Sequence, residues 1–241
     1  MRADVFLVEN GYAASRAEAQ EAIEAGKVFS DGRPILKPSQ PLSESCHIQY
    51  ERTHMFVSRG AVKLASALDQ FGLDVDGRIA LDVGASTGGF TEVLLMRGAG
   101  KVYAVDVGHG QLNPKITRDP RVVSLEKTNA RDLDAKVIPQ KPGAIVADVS
   151  FISLKLALPK ALALAADNSW LVALVKPQFE VGRENVGKGG IVKDEAAQDA
   201  ALAEIARWLS EEQGWNVIGT MDSPIKGGDG NREFLIAARK P

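Results

Sequence analysis

Between Arg78 and Asp106 the chain alternates in an order that few architectures accommodate. An apolar run, Ile79-Ala80-Leu81, leads through Asp82-Val83 into the turn Gly84-Ala85-Ser86-Thr87-Gly88-Gly89. Phe90 to Arg97 (FTEVLLMR) then carries the apolar spacing of a helix and is closed by Gly98, and a second apolar run, Val102 to Val105, ends in Asp106. Short apolar runs bounded by turn residues read as buried strands. Glycine at 84, 88 and 89 lets the backbone turn sharply and come close to a ligand. The acid lies 22 residues beyond Gly84, the spacing at which a carboxylate in the nucleotide-binding half of a doubly wound sheet meets ribose hydroxyls.

Two details narrow the ligand. The turn is not the G-x-G-x-x-G of dinucleotide enzymes, and Asp82 stands just before it. A carboxylate there repels a pyrophosphate but suits a ligand bearing an ammonium and a sulfonium. S-adenosylmethionine is such a ligand. On this reading Asp82, Gly84, Ala85, Ser86, Thr87, Gly88 and Gly89 surround it, Asp106 holds its ribose, and its adenine lies near Asn129 and Asp132. The plainer alternative is a βα turn that needs glycine for packing alone.

Composition bounds the rest. A chain of 241 residues, 45% of them hydrophobic, holds one large domain or a large one and a small one, with a proper core. A net charge of −2 advertises neither nucleic acid nor membrane. The single cysteine, Cys46, excludes an intramolecular disulfide and fits a reducing compartment. His47, His54 and His109 lack metal-ligand spacing, so no metal is expected. No apolar run approaches the roughly 18 residues of a membrane helix, and Met-Arg-Ala-Asp lacks the basic-then-apolar plan of a signal peptide. The expectation is a cytoplasmic protein.

Residues 1–54 read as a small α+β domain. Ala3 to Asn10 forms a short helix closed by Gly11, and Ser15 with Glu18 forms a capping box for a second helix ending at Gly26. Val28-Phe29-Ser30, the hairpin dipeptide Asp31-Gly32 and a return strand at Ile35-Leu36 follow, with His47 to Tyr50 as a further strand. Arg2, Asp4, Gly11, Ser15-Arg16, Ile23, Gly26-Lys27-Val28 and the hairpin glycine resemble the RNA-binding domain of the ribosomal-protein-S-four type. That resemblance implies that Arg2, Arg16, Lys27 and Arg33 face RNA. Residues 1–60 carry seven Lys/Arg against eight Asp/Glu, so any affinity must come from a patch. A small packing or dimerisation domain is the alternative, and the oligomeric state stays open.

A polar joint, Glu51-Arg52-Thr53-His54, precedes the second domain, residues 55–241. Ser58 to Leu64 opens a helix running to Phe71, with Arg59 and Lys63 at its start, where the helix macrodipole disfavours cations. A lysine aimed at a reacting group has a reason to be there. Strands follow at Val122–Leu125, Ala144–Ala147 and Trp170–Val175, a helix at Leu154–Ala166 and another at Ala196–Glu212. Residues 177–193 read as a mobile loop, which contains Lys188, and Asn216–Gly219 with Glu233–Ala238 as a terminal pair. Asp82, Asp106, Asp148 and Lys176 all read as strand ends, where open α/β sheets bind ligands. Glu233 joins them if the last strand is antiparallel.

The motifs SRGAVKL, DVGASTGGFT, DVSFISL, VKPQFE and GNREFL are similar to those of the TlyA family, FtsJ-like methyltransferases that are often labelled haemolysins. The resemblance runs over essentially the whole chain. It implies a class I Rossmann-like sheet, mostly parallel with a closing antiparallel hairpin, and S-adenosylmethionine as cofactor. It implies 2′-O-methylation of a ribose in ribosomal RNA, and its shorter members are directed at a large-subunit cytidine. Ribosomal RNA or a ribosomal subunit is the implied partner, with Arg59 and Lys188 added to the RNA contacts. The family's catalytic tetrad falls on Lys63, Asp148, Lys176 and Glu233, with Lys176 as base. A second cation (Lys63) and burial make a lysine proton easier to lose. Three rivals stay open: a buried ion-pair cluster with no catalytic role, a non-catalytic RNA-binding assembly factor, and a membrane-lysing protein.

Overall fold

The computed structural model describes residues 1–13, 16–51, 56–228 and 230–241. Ser15 of the expected capping box, residues 52–54 of the joint and Asp229 lie outside the described residues. The chain divides into two compact units, Met1–Arg59 and Gly60–Pro241.

The first unit packs α1 (Ala3–Glu9) and α2 (Arg16–Glu24) on an antiparallel sheet of β1 (Val28–Ser30), β2 (Arg33–Pro34) and β3 (Ile48–Tyr50) in the order β2-β1-β3. Phe6, Leu7, Ile23, Val28, Ile35 and Ile48 fill its core. Asp31 and Gly32 both take positive φ, 50° and 76°, as a type I′ turn requires. The return strand starts earlier than the sequence reading had it. A two-residue turn forces pairing directly after Gly32, so Arg33 and Pro34 oppose Ser30 and Phe29. Pro34 is tolerated because β2 is an edge strand. Ile35 is fully buried, whereas Leu36 is 74% exposed.

The second unit runs α3 (Gly60–Phe71), β4 (Ile79–Val83), α4 (Gly89–Met96), β5 (Lys101–Val105), α5 (Pro114–Thr117), β6 (Val122–Leu125) and β7 (Ala144–Ala147). It continues through α6 (Leu154–Ala157), α7 (Pro159–Ala163), β8 (Trp170–Val175), α8 (Pro177–Glu180), α9 (Glu195–Arg207), β9 (Asn216–Asp222) and β10 (Phe234–Arg239). The sheet order is β6-β5-β4-β7-β8-β10-β9. The pairs from β6 to β8 are parallel, and β10 is antiparallel to both β8 and β9. Every residue of β7 and β8 is buried, as strands covered on both faces must be. Chain order reverses across β4, with β5 on one side and β7 on the other. A crevice therefore opens beyond the carboxyl ends of β4, β5 and β7.

Two segments depart from the sequence reading. The helix expected over 154–166 is two short helices meeting at Leu158-Pro159. Pro159 lacks an N–H and its ring crowds the carbonyl one turn back, so one continuous helix cannot form. The stretch expected to be an irregular loop, 177–193, begins with α8 and contains a 3₁₀ turn at Arg183–Asn185. The Glu180 carboxylate ties α8 down by accepting from Ser153 Oγ (2.6 Å) and Leu154 N–H (2.9 Å).

Candidate active site

The crevice beyond β4, β5 and β7 holds a cavity of about 460 Å³, lined among others by Gly84, Ser86, Asp106, Gln111, Asn129, Asp148, Ser150 and Phe151. Its floor is the glycine turn. Gly84 has φ 85°, and a Cβ there would run into the backbone carbonyl of Asp148, so the turn can pass beneath the next strand only without a side chain. Ser86 takes φ 47° and is held by its N–H bond to the Asp106 carboxylate, 2.8 Å. That carboxylate also accepts the Gly108 N–H at 2.7 Å. Asp106 is thus fixed at the end of β5 by two backbone donors, with lone pairs left to face the cavity.

Of the cofactor residues expected from the sequence, Gly84, Ser86, Asp106 and Asn129 line the cavity; Ala85, Thr87, Gly88 and Gly89 complete the turn and the start of α4. Two lie outside both the lining and the turn. Asp132 is exposed and lies outside the lining, because the 3₁₀ turn Ala130–Asp132 carries it away. Asn129 caps that turn by accepting the Arg131 N–H at 3.1 Å.

Asp82 is the second exception. It sits inside β4 rather than at its end and is fully buried. Thr91 Oγ1 donates to its Oδ2 at 2.6 Å, and its Oδ1 has no hydrogen-bond partner among the described residues. Burial pushes this carboxyl up to about 7; the Thr91 bond opposes that, and the charges of Asp148 and Asp106 add to it. Unfolded, the same group titrates near pH 4. Between those values the folded chain holds a proton that the unfolded chain has released. Stability should therefore fall as pH rises through that window and level off above it. Thermal melts of ligand-free protein at pH 5 and pH 8 check this, and Asp82→Asn should flatten the difference. An unchanged slope in the variant would assign the effect to other groups.

The four residues of the expected tetrad come together as two ion pairs. Lys63, on α3, reaches Glu233 Oε2 at 2.5 Å, and both side chains are nearly inaccessible. Lys176 Nζ lies 2.6 Å from Asp148 Oδ1, an approach not aligned as a hydrogen bond, and donates to Ser150 Oγ at 2.9 Å. The register Phe234↔Val175 sets Glu233 and Lys176 at adjoining ends of β10 and β8. Asp148 joins the two features, since it lines the cavity and pairs with Lys176. Lys176 is also the N-cap residue of α8, whose Pro177 stiffens the exit from β8. Ser150 and Glu180, which hold this corner, were not singled out from the sequence, although both stand in the DVSFISL and VKPQFE motifs. Nothing in residue type or spacing says that one will bond a lysine and the other cap a helix.

Phe151 was missed as well. It is 91% exposed with φ 66°, and its ring centroid lies 5.3 Å from that of Phe179 at 50°. A large aromatic held open in a strained conformation beside a cavity is the kind of exposure that function maintains.

The basic residues expected to face RNA are dispersed in their pairing. Arg2 and Arg16 both bond Asp4, Lys27 pairs with Glu51 at 2.5 Å, and Arg59 with Glu21 at 3.5 Å. Arg33 on β2 and Lys188 are exposed. Among the described residues no group of three or more His, Cys, Asp or Glu could hold a metal ion, and no helix is long and apolar enough to cross a membrane.

The chain matches the FtsJ-like methyltransferase family over residues 56–240 and the S4 domain over residues 1–45. It is 47% identical over 240 residues to the 16S/23S rRNA (cytidine-2′-O)-methyltransferase TlyA of Mycobacterium tuberculosis, covering 99% of this chain and 89% of that one. It is 32% identical over 254 residues to the 23S rRNA (cytidine-2′-O)-methyltransferase TlyA of Campylobacter jejuni, covering 98% of each. A solved structure from Streptococcus thermophilus that carries a haemolysin label superposes with a TM-score of 0.81 at 40% identity, over 100% of this chain and 88% of that one. Matched over 56–240 by the FtsJ-like methyltransferase family and over 1–45 by the S4 domain, and 47% identical to a TlyA relative over 99% of its own length, the chain belongs to the TlyA family of FtsJ-like methyltransferases.

Proposed function

We propose that this protein transfers a methyl group from S-adenosylmethionine to the 2′-hydroxyl of a cytidine in large-subunit ribosomal RNA. Residues 1–54 act as the RNA-binding domain and 55–241 as the catalytic one, in the cytoplasm where ribosomes are made. The observation that carries the reading is Asp148, one carboxylate shared between the cavity and Lys176. The large-subunit assignment draws support from the coverage of the C. jejuni relative, which is named for 23S rRNA alone and is matched over 98% of its length.

The cavity suits S-adenosylmethionine on three counts. Its volume lies within the range of small-molecule sites, the Gly84 cradle admits a close ligand, and the anchored Asp106 carboxylate can accept from ribose hydroxyls. The cofactor, when bound, supplies a methyl carbon already activated by its sulfonium. What remains for the chain is to hold the ribose oxygen in line with that carbon and to take up its proton. Lys176, having first given its own proton to solvent, would accept the 2′-hydroxyl proton as the C–O bond forms and the methyl carbon's bond to sulfur breaks. Asp148 and Ser150 aim Lys176, while the buried Lys63–Glu233 pair holds the adjoining strand end in place. Phe151 offers a ring face to a base at the mouth of the cavity.

The test is labelled cofactor with separated subunits, intact ribosomes and naked rRNA. Label is expected in large-subunit rRNA, at a cytidine whose 3′ linkage becomes resistant to alkali. Label on a base, or none with any substrate, would overturn the proposal, and label confined to small-subunit rRNA would overturn its substrate. Phe151→Ala should leave cofactor affinity unchanged and weaken productive RNA binding by about 1–3 kcal/mol, the range of one lost base–aromatic stack. Steady-state KM for RNA and calorimetry with the demethylated cofactor separate the two effects.

A further inference from the structure

The sequence places Arg2 and Arg16 in an RNA-facing patch of a unit that is not basic overall, with nothing to say how they are held. Asp4 changes that picture. Its side chain is wholly inaccessible, yet it receives Arg2 through Nε (2.9 Å) and NH2 (3.1 Å), Arg16 through NH2 (2.8 Å) and Nε (3.3 Å), and Gln20 through Nε2 (2.9 Å). It also accepts the Val5 N–H at 3.1 Å. The Arg2 hydrogen bonds, with those of Arg16 and Gln20 behind them, hold its carboxyl far below the ordinary carboxylate range in spite of burial. The two arginine side chains remain 50% and 57% exposed.

We infer that Asp4 is a positioning residue that fixes Arg2 and Arg16 as a single fork for one backbone phosphate of RNA. The inference rests on the reading of these arginines as RNA contacts and adds what they grip and how they are held. Two donor bonds to the same Asp4 Oδ2, of 3.1 and 2.8 Å, keep the two NH2 groups within about 6 Å of each other, a span one phosphate can bridge. A guanidinium has five N–H donors. Those facing Asp4 are the Nε–H and one NH2 hydrogen of each arginine, which leaves the second NH2 hydrogen and both NH1 hydrogens of each for an anion. Holding the planar groups in advance spares the rotamer entropy that free arginines lose on binding. The cluster keeps a net positive charge, two guanidiniums against one carboxylate. A phosphate fork positions RNA without reading its sequence, so recognition of the nucleotide is left to other residues.

The sign of one substitution separates positioning from bulk charge. Asp4→Asn removes a negative charge from a face that binds a polyanion. Electrostatics alone predicts tighter RNA binding; the fork predicts a loss of roughly tenfold, the value of one charge-assisted hydrogen bond. RNA affinity of the full chain is measured against salt, with cofactor affinity and the thermal melt as controls. Arg2→Ala with Arg16→Ala should lower the slope of log K against log salt by about 0.7–0.9, the release from one phosphate, rather than twice that. If Asp4→Asn unfolds the first unit, Arg2→Lys with Arg16→Lys decides, since lysine keeps the charge but not the fork. The lysine pair should retain the salt slope and lose affinity. Equal or tighter binding by Asp4→Asn, or full affinity in the lysine pair, overturns the inference. Full affinity in the double alanine variant would instead remove the RNA contact on which it rests.

Discussion

Lys176→Arg is expected to bind cofactor and RNA normally and to transfer methyl groups about 10²-fold more slowly or worse, the scale of a lost general base. Lys176→Ala should be as inactive. The comparison is informative because arginine keeps the charge and can still pair with Asp148 and Ser150, but does not give up its proton at usable pH. The position of the residue makes it a fair test. β8 is buried throughout, Pro177 stiffens its exit, and Lys176 already has two polar partners, so substitution changes the side chain and not the path of the chain. Single-turnover transfer at saturating RNA, read beside equilibrium cofactor binding, gives the answer. An active Lys176→Arg enzyme would sink the general-base role and leave an electrostatic one.

Asp106→Ala should reduce affinity for S-adenosylmethionine and its demethylated product by about 10- to 100-fold, from the loss of charge-assisted hydrogen bonds each worth about 1.5–3 kcal/mol. Two consequences combine in this residue. Its carboxylate accepts from the ribose in the proposed complex, and in the ligand-free protein it holds the N–H groups of Ser86 and Gly108. Ser86 keeps its left-handed backbone against that bond. Asp106→Asn removes the charge and keeps one of the two backbone acceptors, since its single amide oxygen can still accept one N–H. Calorimetry should rank wild type above Asn above Ala. Equal affinity in all three would move the cofactor out of this cavity.

The line of strands and helices was legible in the sequence because buried parallel strands are written as unbroken apolar runs with turn residues at their ends. That is why β4, β5, β7 and β8 begin and end where the residues imply, and why the glycine turn and Asp106 could be named. Local patterns failed where a neighbour in space decides. Asp82 reads like the last polar residue of a strand, but the α4 residue Thr91 closes over it and keeps it inside. Asp132 closes a 3₁₀ turn on Asn129, its N–H on the Asn129 carbonyl at 2.9 Å, but it is exposed and only Asn129 lines the cavity. Pro159 broke a helix whose apolar spacing continued through it, although in that case the residue itself carried the warning.

By itself the sequence determined the order of elements, the turn that only small residues allow, and the identity of the charged groups at the strand ends. Tertiary structure alone decided their pairing, Lys63 with Glu233 and Lys176 with Asp148 and Ser150, and in the first unit it brought Arg16 onto the buried Asp4 beside Arg2. Lys63 and Glu233 are 170 positions apart. Periodicity and turn chemistry act over a few residues, whereas an ion pair depends on distance and desolvation, and these exist only once the sheet has brought distant chain ends to one edge.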